Sequence, residues 1–363
     1  MVRLGDVCEL KAGDFTPASE IHAEKEPGYY PCFGGNGLRG YIDRYTHEGE
    51  FSLIGRQGAL CGNVQFAQGK FYATEHAVVT KPKIEIYSHW LYYMLRSLNL
   101  NKLSVGAAQP GITVEKLNHV EIPLPPLEEQ HRVAAIIKCQ LAAAEKAKRL
   151  AEEQLAAAEA LKNAYLRETF KDGDWDEVRL GDVCDFIGGS QPPKSTFIYN
   201  PQNGYIRLVQ IQDFRRNDAA VYVPVELASR FFEKDDVMIG RYGPPVFQIL
   251  RGLEGAYNVA LMKAVPKNTD ILSKDFLYYL LQGERIQNEI IEQSQRSAGQ
   301  SGVDKDFLER RVVKLPPIDT QRRKITVLTE KLYSAEKTKA ALKAQLLEIM
   351  ALPAAILRKA FNG

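Results

Sequence analysis

Arginine carries a rigid fork of donors that matches O6 and N7 of guanine, and the amides of glutamine and asparagine match N6 and N7 of adenine. In this chain of 363 residues such side chains recur at glycine-bounded places. Ile54-Gly55-Arg56-Gln57-Gly58 and Ile239-Gly240-Arg241-Tyr242-Gly243 each set an arginine just past a strand-like apolar run. Glycines let the backbone approach another surface, so these turns can offer Arg56, Gln57, Arg241 and Tyr242 to a base edge or a phosphate. A surface turn whose arginine pairs with a neighbouring carboxylate would be the better reading of an isolated instance. Recurrence at matched places favours the binding reading. Residues 31–41 form a glycine-rich segment with Asn36 and Arg39, either a flexible loop facing a DNA groove or a structural turn. Lys194 follows Gln191-Pro192-Pro193, and Gln210, Gln212 and Arg215 crowd residues 210–216, either to read bases or as a polar strand edge without a ligand. Gln109-x-Gly111 and Gln300-x-Gly302 are junction turns or backbone contacts.

Other chemistries lack their residues. The segment 31–41 is not a G-x-G-x-x-G that follows a strand and opens a helix, and no G-x-x-x-x-G-K-[ST], G-x-S-x-G or H-E-x-x-H occurs. No P-D dipeptide opens a metal-dependent nuclease motif, no N-P-P-[FYW] marks an amino-methyltransferase, and the carboxylates form no recognisable acid/base pair. No catalytic residue is assigned, and the chain reads as a non-enzyme. The six histidines form no ligand cluster, so no metal is expected. The five cysteines, odd in number and without C-x-x-C spacing, indicate a reducing compartment, with Cys8 and Cys184 as buried small side chains. An unbroken apolar run of membrane-spanning length and a secretory signal are both missing, so the protein is expected in the cytoplasm.

Net charge is only +2. Residues 1–125 carry 12 basic against 13 acidic side chains, and 171–316 carry 19 against 21. Bulk charge therefore lends little to nucleic-acid binding, which must rest on locally placed arginines.

Two kinds of element must position these residues. After Pro125-Pro126, and again after Pro316-Pro317, the composition turns rich in Ala, Glu, Lys and Leu up to Phe170 and Phe361. Proline and early acidic residues suit a helix start, and Gly173 can take the left-handed conformation that ends the first helix. Ile137, Leu141 and Leu155 in the first helix, and Leu328, Leu332 and Leu346 in the second, lie on stripes spaced by fours and threes. Such stripes form a coiled-coil seam, and two equal ones most simply bury each other antiparallel. Pro353 falls in the second stripe, so that helix is expected to kink or break near Leu352. The rest of each half is mixed. Apolar runs at residues 51–54, 77–79, 205–209 and 237–239 predict strands, and 89–98 and 274–282 predict short helices.

Each element occurs twice. Val2-Arg3-Leu4-Gly5-Asp6-Val7-Cys8 returns as Val178-Arg179-Leu180-Gly181-Asp182-Val183-Cys184, and Pro125-Pro126, Gln130 and Phe170 return at Pro316-Pro317, Gln321 and Phe361. The second set keeps one offset while the earlier part of each half does not, so constant helices join variable globules. Four segments follow: a globule over 1–125, a helix over 126–173, a globule over 174–316 and a helix over 317–363. The fold class is α+β, with two mixed α/β globules separated by two long antiparallel coiled-coil helices in a pseudo-two-fold internal repeat.

These motifs together resemble the specificity (S) subunits of Type I restriction-modification systems. The carriers are the repeated V-R-L-G-D-V opening, the I-G-R-x-G turn, the F/W-L-Y-Y helix, and the P-P-[LI]-x-x-Q-x-R entry to a helix ending in L-R-x-x-F. The resemblance implies two target-recognition domains, each reading one half of a bipartite double-stranded DNA site. It also implies two DNA methyltransferase (modification) subunits on the helices, and restriction subunits in the full complex. S-adenosylmethionine, ATP and Mg would belong to those partners, with no cofactor on this chain. A scaffold or adaptor whose globules bind proteins is the alternative.

Overall fold

The computed structural model describes all residues except 59, 106–109, 172, 217, 244, 297–301 and 363. The chain divides into two compact units, Met1–Glu153 with Lys343–Gly363, and Gln154–Leu342. The labelled strands of the first unit are β1 (Cys8–Ala12), β2 (Tyr30–Gly34), β3 (Gly37–Ile42), β4 (His47–Gly55), β5 (Val64–Ala73) and β6 (Ala77–Pro82), followed by helix α1 (Ser88–Ser97) and the long helix α2 (Leu127–Thr169). Those of the second are β7 (Cys184–Gly188), β8 (Tyr205–Val209), β9 (Tyr222–Pro224), β10 (Phe231–Phe232), β11 (Val237–Gly240), β12 (Gln248–Leu250), β13 (Gly255–Tyr257) and β14 (Leu261–Pro266), with helices α3 (Lys274–Leu280), α4 (Glu284–Arg296) and α5 (Ile318–Asn362).

In the first unit the strands form one sheet in the order β1-β6-β4-β5-β2-β3. Side chains alternate across a strand. Ile54 and Val78 accordingly turn to the core that holds Trp90 and Met94 of α1, while their neighbours Leu53 and Val79 turn to a second cluster with Phe33 and Phe71. The second unit splits its labelled strands between two sheets, β7-β14-β11-β12 and β9-β8-β13-β10. Val237 and Ile239 pack on Phe276 of α3, whereas Met238 between them packs on Phe232 and Tyr257. Cys8 and Cys184 are 1% and 0% exposed, and burial pushes both thiols up to about 12, so neither is a ready nucleophile.

The repeated motifs do the same work in each unit. Leu4 N–H donates to Val120 O at 2.7 Å and Leu180 N–H to Arg311 O at 2.8 Å. Lys83 and Lys267 each cap the preceding turn by donating to the carbonyls of Gly5 and Gly181 at 2.6 Å. Gln130 and Gln321, in the first turns of α2 and α5, are buried. Gln130 donates to Pro125 O (2.9 Å) and accepts from Tyr87 N–H (2.9 Å) just before α1. Gln321 donates to Pro316 O (2.9 Å) and Ile271 O (2.7 Å) and accepts from Ser273 N–H (3.1 Å) just before α3.

Each unit contains the beginning of one long helix and the end of the other. In the first, Ala134 and Ile137 of α2 share a core with Leu357 of α5, and Phe361 meets Trp90 at 6.1 Å between ring centroids. In the second, Leu166 of α2 shares a core with Ile325 and Leu328 of α5, and Phe170 meets Phe276 at 5.2 Å. The helices are therefore antiparallel. Ile137 and Leu328 are fully buried, and Leu141, Leu155, Leu332 and Leu346 are half-buried.

Two expectations are corrected. The second helix does not break at Pro353, since α5 continues through it to Asn362. Proline forfeits one helical hydrogen bond, but Ile356, Leu357 and Phe361 beyond it are held in the first unit's core. Gly173 has no positive φ, and a Cβ there would stand 2.6 Å from the Trp175 ring, so packing rather than left-handed backbone selects it. Separately, α5 is by length and composition alone long and apolar enough to cross a membrane, its most apolar 18 residues averaging 1.6 in hydropathy with 6% of them buried. A search for an unbroken apolar run misses this because single polar residues interrupt the Ala, Leu and Ile.

Candidate nucleic-acid interface

In the first unit the glycine-rich segment is a β-hairpin rather than a loop, with β2 and β3 joined at Gly35 and Asn36. Close backbone approach explains two of its glycines: a Cβ on Gly35 would stand 2.9 Å from His76 O and one on Gly40 2.3 Å from His22 O. Asn36 is exposed at the tip, its Oδ1 accepting from Asn63 Nδ2 at 3.2 Å. Arg39 is exposed on β3 and folds over Gly34, whose missing Cβ would lie 2.5 Å from Arg39 Cδ.

Strand β4 ends at Gly55, and the chain turns through Arg56, Gln57 and Gly58. Gly58 has φ +85°, a conformation that favours glycine and fixes the direction of the turn. Arg56 N–H donates to His76 O at 3.0 Å, and Arg56 O accepts from Ile112 N–H at 2.9 Å. Asn36, Arg39 and Gln57 thereby line one hollow, together with His76. His76 Nε2 stands 3.1 Å from Glu75 Oε1. Arg56 is half-buried beside this group, and its Nε has no hydrogen-bond partner. The hollow gathers a cation, two amides and an imidazole, a donor and acceptor set suited to base edges and phosphates.

The second unit repeats the turn. Strand β11 ends at Gly240, Gly243 has φ +89°, Arg241 N–H donates to Ala260 O at 2.9 Å, and Arg241 O accepts from Val303 N–H at 3.0 Å. The Arg241 guanidinium lies 5.2 Å from the Tyr242 ring centroid. Phe247 closes the turn, buried and at φ 59°, a rare conformation for a bulky side chain that functional turns tend to hold. Gln248 then accepts from Arg215 Nη2 through Oε1 and donates to Pro245 O at 2.9 Å. Arg215 is thus drawn to the segment that follows Arg241.

Residues 210–216 are a helical turn, Ile211–Phe214, and not a strand edge. Its anchor is Asp213, buried, accepting from Gln210 N–H at 2.7 Å and standing 3.6 Å from the Arg207 guanidinium. Gln210 and Gln212 are half-buried on this turn, and Lys194 is exposed on a separate one, Lys194–Thr196. Gln109 and Gln300 lie outside the described residues. Their neighbours Gly111 and Gly302 pair with Gln57 and Tyr242 as isolated bridges, so both are backbone contacts to the arginine turns.

His76, Asn63 and Gln248 went unnoticed in the sequence, because each reaches its place through strand pairing distant in the chain. The apolar hollow of the second unit lined by Leu166, Phe170, Trp175 and Ile286, about 390 Å³, contains none of the singled-out residues. Among the described residues no group of three His, Cys, Asp or Glu is arranged to hold a metal ion.

A family model described as the Type I restriction modification DNA specificity domain matches residues 1–152 and again 172–348. The chain is 49% identical over 135 residues to the specificity subunit of the Type I restriction enzyme EcoprrI of Escherichia coli, covering 37% of this chain and 34% of that protein. It is 34% identical over 113 residues to a putative type I restriction enzyme specificity subunit of Haemophilus influenzae, covering 30% and 29%. The matched stretches thus span about a third of those relatives. The crystal structure of the HsdS subunit from Thermoanaerobacter tengcongensis has the same fold, with a TM-score of 0.68 at 23% identity over 100% of this chain and 96% of that one. A chain from a structure concerning complex assembly and conformational transition of the type I R-M system has a TM-score of 0.74 at 22% identity, covering 99% and 96%. On the two family matches, which fall one on each repeat and cover most of its length, the chain belongs to the family of Type I restriction modification DNA specificity domains.

Proposed function

We propose that this chain is the non-catalytic DNA sequence-recognition subunit of a Type I restriction-modification complex, reading a bipartite site with one globule per half-site. The observation that carries this is the pair of matched arginine turns, each built at a strand end in the same way and each surrounded by different polar neighbours. In the first globule Asn36, Arg39, Arg56 and Gln57 meet DNA. In the second, Lys194, Gln210, Gln212, Arg215 and Arg241 do, and Tyr242 belongs to the same DNA-facing turn through its ring against Arg241. The target-recognition domains extend over 1–125 and 174–316, and the conserved helices over 126–173 and 317–363. Two methyltransferase subunits bind the helices, and restriction subunits join them in the full complex. S-adenosylmethionine, ATP and Mg reside on those partners, and the complex works in the cytoplasm. Family membership supports this reading and lends nothing to a protein-binding adaptor.

A selection from random duplex DNA, followed by a salt titration of binding to the selected duplex, tests the proposal. A split sequence with an unread spacer should emerge, and affinity should fall steeply with salt as Lys and Arg displace counterions from phosphates. Binding that is insensitive to both sequence and salt would exclude DNA recognition.

A further inference from the structure

The two arginine turns share a backbone but differ in what supports the guanidinium. We propose that Tyr242, seated on Gly302, is a positioning residue that holds Arg241 ready to read one base pair of the second half-site, whereas among the described residues no ring lies against Arg56. This inference rests on the DNA-reading role proposed above.

Three observations build the stack. Tyr242 and Gly302 are paired as a β-bridge, and a Cβ on residue 302 would stand 2.6 Å from Tyr242 Cε1 and 2.9 Å from Cδ1. The ring therefore occupies the space that any side chain at 302 would need. Next to that ring, the Arg241 guanidinium lies at 5.2 Å from its centroid, within cation–π range. On another flank Arg241 Nη1 is 4.0 Å from where a Cβ of Gly188 would be, so bare backbone leaves room for it there too. The main chain of Arg241 is fixed by Ala260 O and Val303 N–H, and its Nε is buried without a hydrogen-bond partner, so the ring and the backbone do the holding.

The energetic sense follows from rotamer freedom. A long arginine side chain loses many conformers when it docks on a base, and a ring that restricts it beforehand reduces that loss and sharpens the choice of base. The phenol hydroxyl takes no part in the stack, so phenylalanine should serve equally. In the first unit Gln57 stands at the place of Tyr242. A Cβ on the matching Gly111 would meet only Arg56 O at 3.5 Å, an ordinary contact. The molecule thus contains its own control.

The experiment uses the full chain, a random-sequence duplex library and sequencing of the bound fraction. Tyr242→Phe should enrich the same site with discrimination within about two-fold of wild type, because a cation–π contact survives with Phe. Tyr242→Leu and Gly302→Ala should relax discrimination at one base pair of the second half-site by roughly five- to ten-fold, the range such a contact spans when partly desolvated, and leave the first half-site unchanged. Gly111→Ala should alter neither. Unchanged discrimination in Tyr242→Leu overturns the positioning role. So does a Tyr242→Phe variant that loses as much as Tyr242→Leu, since the hydroxyl would then be touching DNA itself. A wild-type chain that enriches no sequence overturns instead the DNA-reading role on which the inference depends.

Discussion

Gly58 and Gly243 explain why Arg56 and Arg241 stand at corresponding places. Both take positive φ values that ordinary side chains rarely adopt, so the turn after each strand runs the same way and aims the preceding residues alike. If these arginines fork onto guanine, Arg56→Ala and Arg241→Ala should each cost about 1–3 kcal/mol of binding and relax opposite half-sites. Binding constants on the selected site and on single-base variants check this. An equal loss on random DNA would make the arginines phosphate clamps. The arginine turns were legible because glycine punctuates them. His76 and Gln248 were not, since a lone histidine or glutamine carries no local mark of the partner that strand pairing brings beside it. Gln210 and Gln212 were legible as types but not as geometry: the buried Asp213–Arg207 pair makes their segment a helical turn.

The long helices were the most readable elements, and their entry motif the least understood. The recurrence of Pro-Pro with a glutamine four residues later was visible in the sequence, whereas its purpose appears only in the hydrogen bonds. Each glutamine ties the first helical turn back to the preceding proline carbonyl and across to the backbone before a short helix. Replacing the buried Gln321 by Leu, similar in length but unable to hydrogen-bond, leaves the Ser273 N–H and two carbonyls without their partner. It should destabilise the protein by about 2–3 kcal/mol, given the cost of an unsatisfied buried group. Thermal unfolding of Gln321→Leu against a control at an exposed position of the same helix, Thr338→Val, measures it, and equal melting temperatures would mean that water replaces the amide. Pro353 shows the opposite limit of sequence reading. Its local preference against a helix interior is overridden by apolar anchors one and two turns later, which only the folded core reveals. The segment 31–41 left a flexible loop and a structural turn equally open for a related reason, and the turn is the one found. Its glycines read as freedom of the chain, but they are required by close pairing of strands.

At the scale of the whole molecule, each long helix begins in one compact unit and ends in the other. The helix that leaves the first globule ends with Phe170 on Phe276, and the helix that leaves the second ends with Phe361 on Trp90. Trp90 and Phe276 stand at equivalent positions of the repeated short helix, so each globule receives at the same site the aromatic that closes the other repeat. This is why the sequence holds the helices at one length while the globules vary. A helix whose start and end are fixed in different units cannot change length alone without misplacing one anchor. It follows that seven residues added to the middle of both helices, two turns that preserve the seam, should be tolerated, whereas the same insertion in one helix should not. Under the proposed function the double insertion should also lengthen the unread spacer of the selected DNA site and leave both half-site sequences as they were. Selection from random duplexes with the three insertion variants decides it: an unchanged spacer in the double variant, or a stable and specific single variant, would mean that the helices do not set the distance at which the two half-sites are read.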